Sequence, residues 1–109
     1  ESSNLVAPKS TDVLATRRIQ DALWLLLQAH DYARHIAVDC WDFAVEIAEL
    51  RRRGVTENDL RLLVRLKYLD HALETTSLVD STRRFVPVTE PLFSESTCFV
   101  LTPNGELAA

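Results

Sequence analysis

Apolar residues in the first third of the chain recur at the three- and four-residue spacing of one face of an α-helix. The recurring positions are Leu14, Ile19, Ala22, Leu23, Leu26 and Ala33. Ser10 or Thr11 can cap the start, and Asp12 suits the first turn because carboxylates favour the positive end of the helix dipole. The pattern predicts a first helix over about residues 12–34.

A second helix is predicted to end at a short connection formed by Gly54 and Val55. Asp39 can cap this helix, which would run to about Arg53, and Gly54 suits the left-handed residue that ends a helix. The inner face of the helix would carry Trp41, Ala44, Ile47 and Ala48. Because so short a connection makes the flanking helices cross at a steep angle, the pattern predicts a helix-turn-helix.

The third helix begins with a capping signal. Thr56 and Asp59 have the three-residue spacing of a capping box, in which each side chain accepts a hydrogen bond from the other residue's backbone N–H. The expected buried positions are Leu60, Leu63, Val64 and Tyr68. The sequence therefore predicts a helix over about residues 57–68.

Beyond Leu69 the pattern changes from helical to extended. Three runs that contain β-branched and aromatic residues are predicted as strands, at about 69–76, 84–88 and 98–102. Pro87 marks its run as an edge or an end, because proline cannot donate a hydrogen bond to a sheet. After the last run, Thr102 and Pro103 suit either a turn or the capped start of a helix.

The order of these elements predicts the fold class. The expected architecture is α+β and mainly α, with three helices followed by a β-hairpin wing, which is a winged helix-turn-helix. Residues 1–10 would form a flexible N-terminal tail, residues 11–105 a single domain and residues 106–109 a C-terminal tail. A chain of 109 residues with 47% hydrophobic and 26% charged residues suits one globular domain with one core.

Five segments of the chain carry a resemblance to known proteins. They are Ala44-Val45-Glu46-Ile47-Ala48-Glu49-Leu50, Gly54-Val55-Thr56, Asn58-Asp59-Leu60-Arg61-Leu62-Leu63, Leu66-Lys67-Tyr68-Leu69-Asp70-His71 and Phe99-Val100-Leu101-Thr102-Pro103-Asn104-Gly105. This series resembles winged-helix regulators of the MarR and PadR types, and also small uncharacterised bacterial winged-helix proteins. The resemblance covers about residues 38–105. It implies a DNA-binding protein with its third helix in the major groove, and a role in transcription regulation.

The distribution of charge is uneven. The net charge is −4, but residues 51–84 carry eight basic and five acidic side chains, a net charge of +3, whereas the remainder carries −7. The candidate contacts with double-stranded DNA are Arg51, Arg52, Arg53, Thr56, Asn58, Arg61, Arg65, Lys67, Arg83 and Arg84. The polarised charge places a positive side where the third helix is predicted.

These candidates fall into three groups, each with a purely structural alternative. Asn58, Arg61 and Arg65 share one helix face and are of the types that pair with adenine and guanine, but they also suit a solvated face with salt bridges. The arginines at 51–53 suit phosphate contacts or the end of a helix dipole. Those at 83 and 84 suit a wing tip or a charged edge that keeps the hairpin soluble.

The first helix also carries large apolar residues outside its inner stripe. They are Trp24, Leu25, Leu27 and Tyr32. An exposed apolar band of this kind predicts a partner surface, and a homodimer through the first helix would suit a protein that contacts two DNA half-sites. The alternatives are that the tail and hairpin cover the helix, or that the domain is a protein-interaction or assembly module without DNA binding.

Enzyme chemistry is not expected, and neither are catalytic residues, a metal or a cofactor. His30, His35 and Cys40 are each five residues apart, which places them on different sides of a helix instead of around one metal. The longest apolar run, Leu23 to Leu27, is far too short to cross a bilayer, so no membrane association is expected. Two cysteines are too few for a disulfide framework, which favours a reducing, cytoplasmic setting.

Overall fold

The structure, a computed structural model, describes residues 16–109. Its helices are α1 (Arg17–His35), α2 (Ile47–Arg52), α3 (Glu57–Arg65) and α4 (Pro103–Ala108), with a 3₁₀ helix at Cys40–Phe43. Its strands are β1 (Val45–Glu46), β2 (Leu69–Glu74), β3 (Phe85–Pro87) and β4 (Thr97–Leu101). The predicted tail at residues 1–10 and the predicted start of the first helix lie outside the described residues.

The four strands form one antiparallel sheet in the order β1-β4-β2-β3. β4 lies in the middle of the sheet, and all five of its residues are buried. β3 is an edge strand whose Pro87 faces Ala72 of β2, which confirms the edge position predicted from the proline. A strand buried on both faces needs partners at both of its edges, and β1 and β2 supply them.

Apolar side chains cover both faces of the sheet. On one face, Phe99 and Leu101 of β4 join the main core, to which α1 contributes Ile19 and Leu26 and α3 contributes Leu60. On the other face, Cys98 and Val100 pack with Ala44, and Cys40, Trp41 and Phe85 border this smaller cluster. The 3₁₀ helix thus contributes Cys40 and Trp41 to the smaller cluster, while its Phe43 packs against Tyr32 of α1 with ring centres 6.0 Å apart.

The capping box predicted at the start of α3 is confirmed. The Thr56 hydroxyl accepts from the Asp59 N–H at 3.1 Å, and the Asp59 carboxylate accepts from the Thr56 N–H at 3.0 Å. The Arg18 guanidinium also donates twice to Asp59, at 2.7 and 3.1 Å, which holds α1 against α3. These contacts, led by the bond from Arg18, lower the pKa of Asp59. Gly54, with a φ of 89°, has the left-handed conformation predicted for it.

The predicted second helix over about residues 39–53 is wrong. Only Ile47–Arg52 is α-helical, and the segment before it forms the 3₁₀ helix and the short strand β1. Its apolar positions suit a helix face, but Val45 pairs with Phe99 at the far edge of β4. Val45 and Glu46 are therefore extended instead of helical, because they pair with β4, which lies far along the sequence and outside any local pattern.

The predicted architecture of three helices followed by a wing is also wrong. β2 and β3 pair as a hairpin, but β4 pairs with the other edge of β2 and β1 joins beyond it, so the strands form a four-stranded sheet. The last segment forms α4, capped by the Thr102 side chain, which accepts from the Gly105 N–H at 3.0 Å. A continuous apolar run such as Cys98 to Leu101 is typical of a central strand, which a two-stranded wing does not contain.

Candidate functional site

The outward face of α3 is partly occupied by other parts of the chain. Asn58 and Arg65 are exposed, whereas Arg61 is half-buried. The Arg61 guanidinium donates to the Asn58 side-chain oxygen at 3.1 Å and to the carbonyl oxygen of Pro91 at 3.4 Å. It also lies 3.8 Å from Glu57. The side chain predicted to contact guanine is therefore held by its own helix and by the β3–β4 connection.

The connection between β3 and β4 is fixed against the core beside α3. The Phe93 ring packs edge-on against Phe99 and His71, with ring centres 5.3 Å apart in both cases. Arg61 lies over the same ring, 5.8 Å from its centre. A 2.7 Å hydrogen bond joins the His71 Nε2 to the carbonyl oxygen of Glu90. These contacts place residues 90–93 along one side of α3.

The three arginines at the end of α2 pair with nearby carboxylates. Arg51 lies 3.1 Å from Glu57 and 2.8 Å from Glu95, so it links α2 to α3 and to the β3–β4 connection. Arg52 donates a hydrogen bond to Glu49, and the Arg53 Nε lies 3.4 Å from the same carboxylate. Because each of these arginines lies beside a carboxylate, most of the positive charge predicted for this end of the helix is neutralised.

Arg83 and Arg84, predicted to lie at a wing tip, support the β2–β3 hairpin. Arg83 is half-buried, donates to both carboxylate oxygens of Glu74 at 2.9 Å and to the carbonyl oxygen of Ala44 at 3.0 Å, and lies over the Phe85 ring. The bond from Arg83 is the main cause that lowers the pKa of Glu74 to about 2. Arg84 pairs with Asp80 at 3.0 Å. Both arginines thus have structural roles within the hairpin.

Among the ten residues predicted to contact DNA, Arg65 and Lys67 are exposed and form no ion pair with any residue of the described chain. They lie at the end of α3 and in the turn after it, where Lys67 has a φ of 65°. Thr56 is occupied by the capping box. The unpaired positive charge of the predicted site is therefore limited to two neighbouring side chains.

The four residues predicted for a dimer interface divide into two pairs. Trp24 and Tyr32 are 61% and 52% exposed. Leu25 and Leu27 are half-buried and pack against the main core. A hollow of about 230 Å³ lies between α1 and α4, and its lining includes Trp24, Leu27 and Ala108. The exposed surface of α1 is thus narrower than the sequence predicts, and Trp24 lies near its middle.

A groove that the sequence did not predict lies beside the sheet. It is a groove of about 810 Å³ that runs along β2, and we call it the β2 groove. Its lining residues are Asp39, Trp41, Asp42, Val64, Lys67, Leu69, Asp70, His71, Ala72, Arg83, Phe85, Pro87, Val88 and Thr89. Three separate stretches of the chain, 39–42, 64–72 and 83–89, contribute to it, so no single motif in the sequence reveals it.

The β2 groove combines an aromatic wall with unpaired carboxylates. Trp41 and Phe85 pack together with ring centres 5.1 Å apart. Asp39, Asp42 and Asp70 form no ion pair with other described residues, although the Asp39 side chain accepts a hydrogen bond from the Trp41 N–H at 2.9 Å. Arg83, also in the lining, is already neutralised by Glu74. Lys67 is the remaining lining cation, so the groove is acidic.

Other kinds of site find little support in the described residues. Residues 16–109 contain no group of three or more histidine, cysteine or acidic side chains arranged to hold a metal ion. Within the same range, no helix combines the length and the apolar character that a membrane span requires. Cys98 is buried and lies beside Glu74, and burial is the main cause that raises its thiol pKa to about 12. A thiol with so high a pKa is a poor nucleophile.

Comparison with known proteins does not narrow the choice of function, since no family model, curated protein or solved structure matches this chain.

Proposed function

We propose that this domain is a protein-interaction module that binds an extended, basic segment of a partner protein in the β2 groove. The observation that carries the proposal is the open edge of β2. β3 pairs with β2 only at Ala72–Glu74, so the edge from Leu69 to His71 has no strand beside it among residues 16–109 and borders the groove instead. An open strand edge can accept a peptide that adds to the sheet.

The backbone groups of β2 alternate between its two neighbours. The Glu74 N–H donates to Ser96 on the β4 side, at 2.9 Å, whereas the Thr75 N–H donates to Arg84 on the β3 side, at 2.8 Å. Because this direction alternates along a strand, Leu69 and His71 direct their backbone groups to the β3 side. An extended peptide in the groove would meet these groups directly.

The charge of the groove specifies the chemistry of the peptide. Asp39, Asp42 and Asp70 would attract lysine or arginine side chains, and each has no competing ion pair in the described chain. The indole of Trp41 offers a face on which a guanidinium or ammonium group can pack. An acidic peptide would meet like charges along the same wall.

Two free thiols, Cys40 and Cys98, support a reducing, cytoplasmic setting for this interaction.

Fluorescence anisotropy with two labelled peptides tests the proposal. One peptide alternates arginine and valine over about ten residues, and the other alternates glutamate and valine. We expect the basic peptide to bind and the acidic one not to bind. In the double variant Asp42→Asn, Asp70→Asn, we expect roughly five-fold weaker binding, because exposed ion pairs contribute about 0.2–1 kcal/mol each.

The matched control is Glu95→Gln, which removes an exposed carboxylate that does not line the groove. It should leave peptide affinity unchanged. Equal affinity for the two peptides, or equal weakening by the control and the double variant, would refute the proposal.

Duplex DNA is the second candidate ligand, and the exposed cations Arg65 and Lys67 favour it. DNA binding through them would weaken steeply as salt is raised, because bound phosphates release counterions. A random duplex of about 20 base pairs, titrated at two salt concentrations, tests this candidate. Salt-dependent binding that the variant Arg65→Ala, Lys67→Ala abolishes would establish it. The ion pairs of Arg51, Arg61 and Arg83 are the reason that we place it second.

A further inference from the structure

One outward stripe of α1 carries opposite charges at equal distances on either side of a central tryptophan. Its residues, separated by three or four positions, are Arg17, Asp21, Trp24, Gln28, Asp31 and His35, and we call them the α1 stripe. Five of these side chains are exposed, and Gln28 is half-buried. Trp24 lies at the centre, while Arg17 and Asp31 lie seven residues before and after it. The stripe faces away from the main core, to which α1 contributes Ile19, Leu23 and Leu26.

We propose that two copies of this chain pair through the α1 stripe, with the two helices antiparallel and a two-fold axis at Trp24. In such a pair each residue faces the one equally distant from the axis on the other side. Arg17 of each copy therefore faces Asp31 of the other, about 10 Å along the helix from the axis at about 1.5 Å per residue. The two indoles meet at the centre of the contact.

The charges select this register over its neighbours. Moving the axis from Trp24 to residue 26 would place Asp21 opposite Asp31 and Arg17 opposite His35. Moving it to residue 21 would place Asp21 opposite its own copy. Like charges facing each other disfavour both alternatives. The register centred on Trp24 gives two opposite-charge pairs between Arg17 and Asp31 and leaves no like charges of the stripe facing each other.

The ion pairs that Arg17 and Asp31 form within one copy do not prevent them from pairing with a second copy. Arg17 lies 3.9 Å from Asp21 and Asp31 lies 2.6 Å from Arg34, and these side chains are at least half exposed. Arg34 also lies 3.0 Å from Glu106 of α4, so it keeps a partner when Asp31 turns to the second copy. Exposed pairs of this kind contribute little, and replacing one by another costs little.

The apolar surface around Trp24 is larger than the helix alone provides. Ala108 of α4 borders the hollow next to Trp24, and the neighbouring Leu107 is 87% exposed. Aromatic side chains at the centre of an interface surrounded by polar and charged residues are typical of specific contacts. The surface is separate from the β2 groove, so the pair would carry two grooves and the proposal does not depend on peptide binding.

Sedimentation velocity of the full chain over a range of concentrations tests the proposal. We expect a concentration-dependent dimer. Trp24→Ala should abolish it, and the single charge reversals Arg17→Asp and Asp31→Arg should each weaken it by at least five-fold. Arg65→Asp, a reversal at an exposed position of α3, is the control and should leave the dimer unchanged. Circular dichroism shows whether each variant is folded.

Mixing the two single reversals makes the test specific for the register. In an antiparallel pair centred on Trp24, one copy with Arg17→Asp and one with Asp31→Arg regain both opposite-charge contacts, so the mixture should form a heterodimer at wild-type affinity. The double variant Arg17→Asp, Asp31→Arg should also dimerise. A chain that stays monomeric at all concentrations, a dimer that Trp24→Ala leaves intact, or a mixture that does not associate would overturn the proposal.

Discussion

The arginines around α2, α3 and the hairpin differ from the carboxylates of the β2 groove in how far the fold neutralises them. Arg51, Arg61 and Arg83 each contact at least one carboxylate. Asp42 and Asp70 form no ion pair with the rest of the described chain. A count of charges along the sequence therefore overstates the positive charge of the predicted DNA-binding face, because tertiary contacts neutralise much of it and leave the acidic β2 groove available.

Among the substitutions that test this comparison, the largest expected effect is on the stability of the fold. Arg83→Ala should destabilise the fold by about 2 kcal/mol, because it leaves Glu74 half-buried without its partner and removes packing on Phe85. Arg65→Ala is the matched control and should change stability by less than about 0.5 kcal/mol, as exposed substitutions generally do. Urea unfolding of both variants measures the difference. Equal effects would show that Arg83 has no structural role.

The carboxylates that form ion pairs also predict that the stability of the fold depends on pH. The pKa of Glu74 falls from 4.5 to about 2 in the folded state, so its pairing contributes stability above pH 4.5 that is lost as pH falls towards 2. Asp59, whose pKa is also lowered, acts in the same direction. Urea midpoints at pH 7 and pH 2.5 measure the loss. Glu74→Gln should reduce this loss, whereas Glu95→Gln should follow the wild type.

His30 differs both from the ion-paired arginines and from the carboxylates of the β2 groove, because one of its ring nitrogens is buried without a hydrogen-bond partner among residues 16–109. The Nδ1 of His30 is buried and forms no hydrogen bond within residues 16–109, although its Nε2 lies 3.6 Å from Glu106. His30→Leu should therefore stabilise the fold by about 1 kcal/mol, since an unsatisfied buried polar group is costly. Thermal unfolding measures this change. A loss of stability would mean that the contact with Glu106 outweighs the cost of the unpaired nitrogen.

The smallest effect is expected where the charges are unpaired and reach solvent. The double variant Asp42→Asn, Asp70→Asn should change the free energy of unfolding by less than about 0.5 kcal/mol, although it weakens peptide binding. Urea unfolding checks this directly. A loss of about 2 kcal/mol in the free energy of unfolding would mean that Asp42 and Asp70 stabilise the fold as Glu74 does. The distinction between ion-paired and unpaired carboxylates would then fail.

Local signals predicted some elements of this fold correctly. The capping box of Thr56 and Asp59, the left-handed Gly54 and the edge position of Pro87 each depend on residues within a few positions of one another. The periodicity of α1 is also local, and so is the β-branched run of β4. These features require no knowledge of the tertiary structure.

The features that local signals missed depend on residues far apart in the sequence. β1 forms because Val45 pairs with Phe99, 54 positions later, and overrides a helical pattern. The walls of the β2 groove come from residues near 40, 65, 70 and 87. Arg51 is neutralised by Glu95 across a similar separation. The site could not be assembled from spacing because only the folded sheet brings these segments together.

The most direct test of the account is a map of backbone amide shifts during titration of the ¹⁵N-labelled chain with the basic arginine–valine peptide. The account predicts the largest shifts at Leu69 and His71, on the open edge of β2, and at the indole N–H of Trp41. Asn58 and Arg65 on α3 should change little. Shifts centred on α3, with Leu69 and His71 unaffected, would contradict the claim that the β2 groove is the binding site.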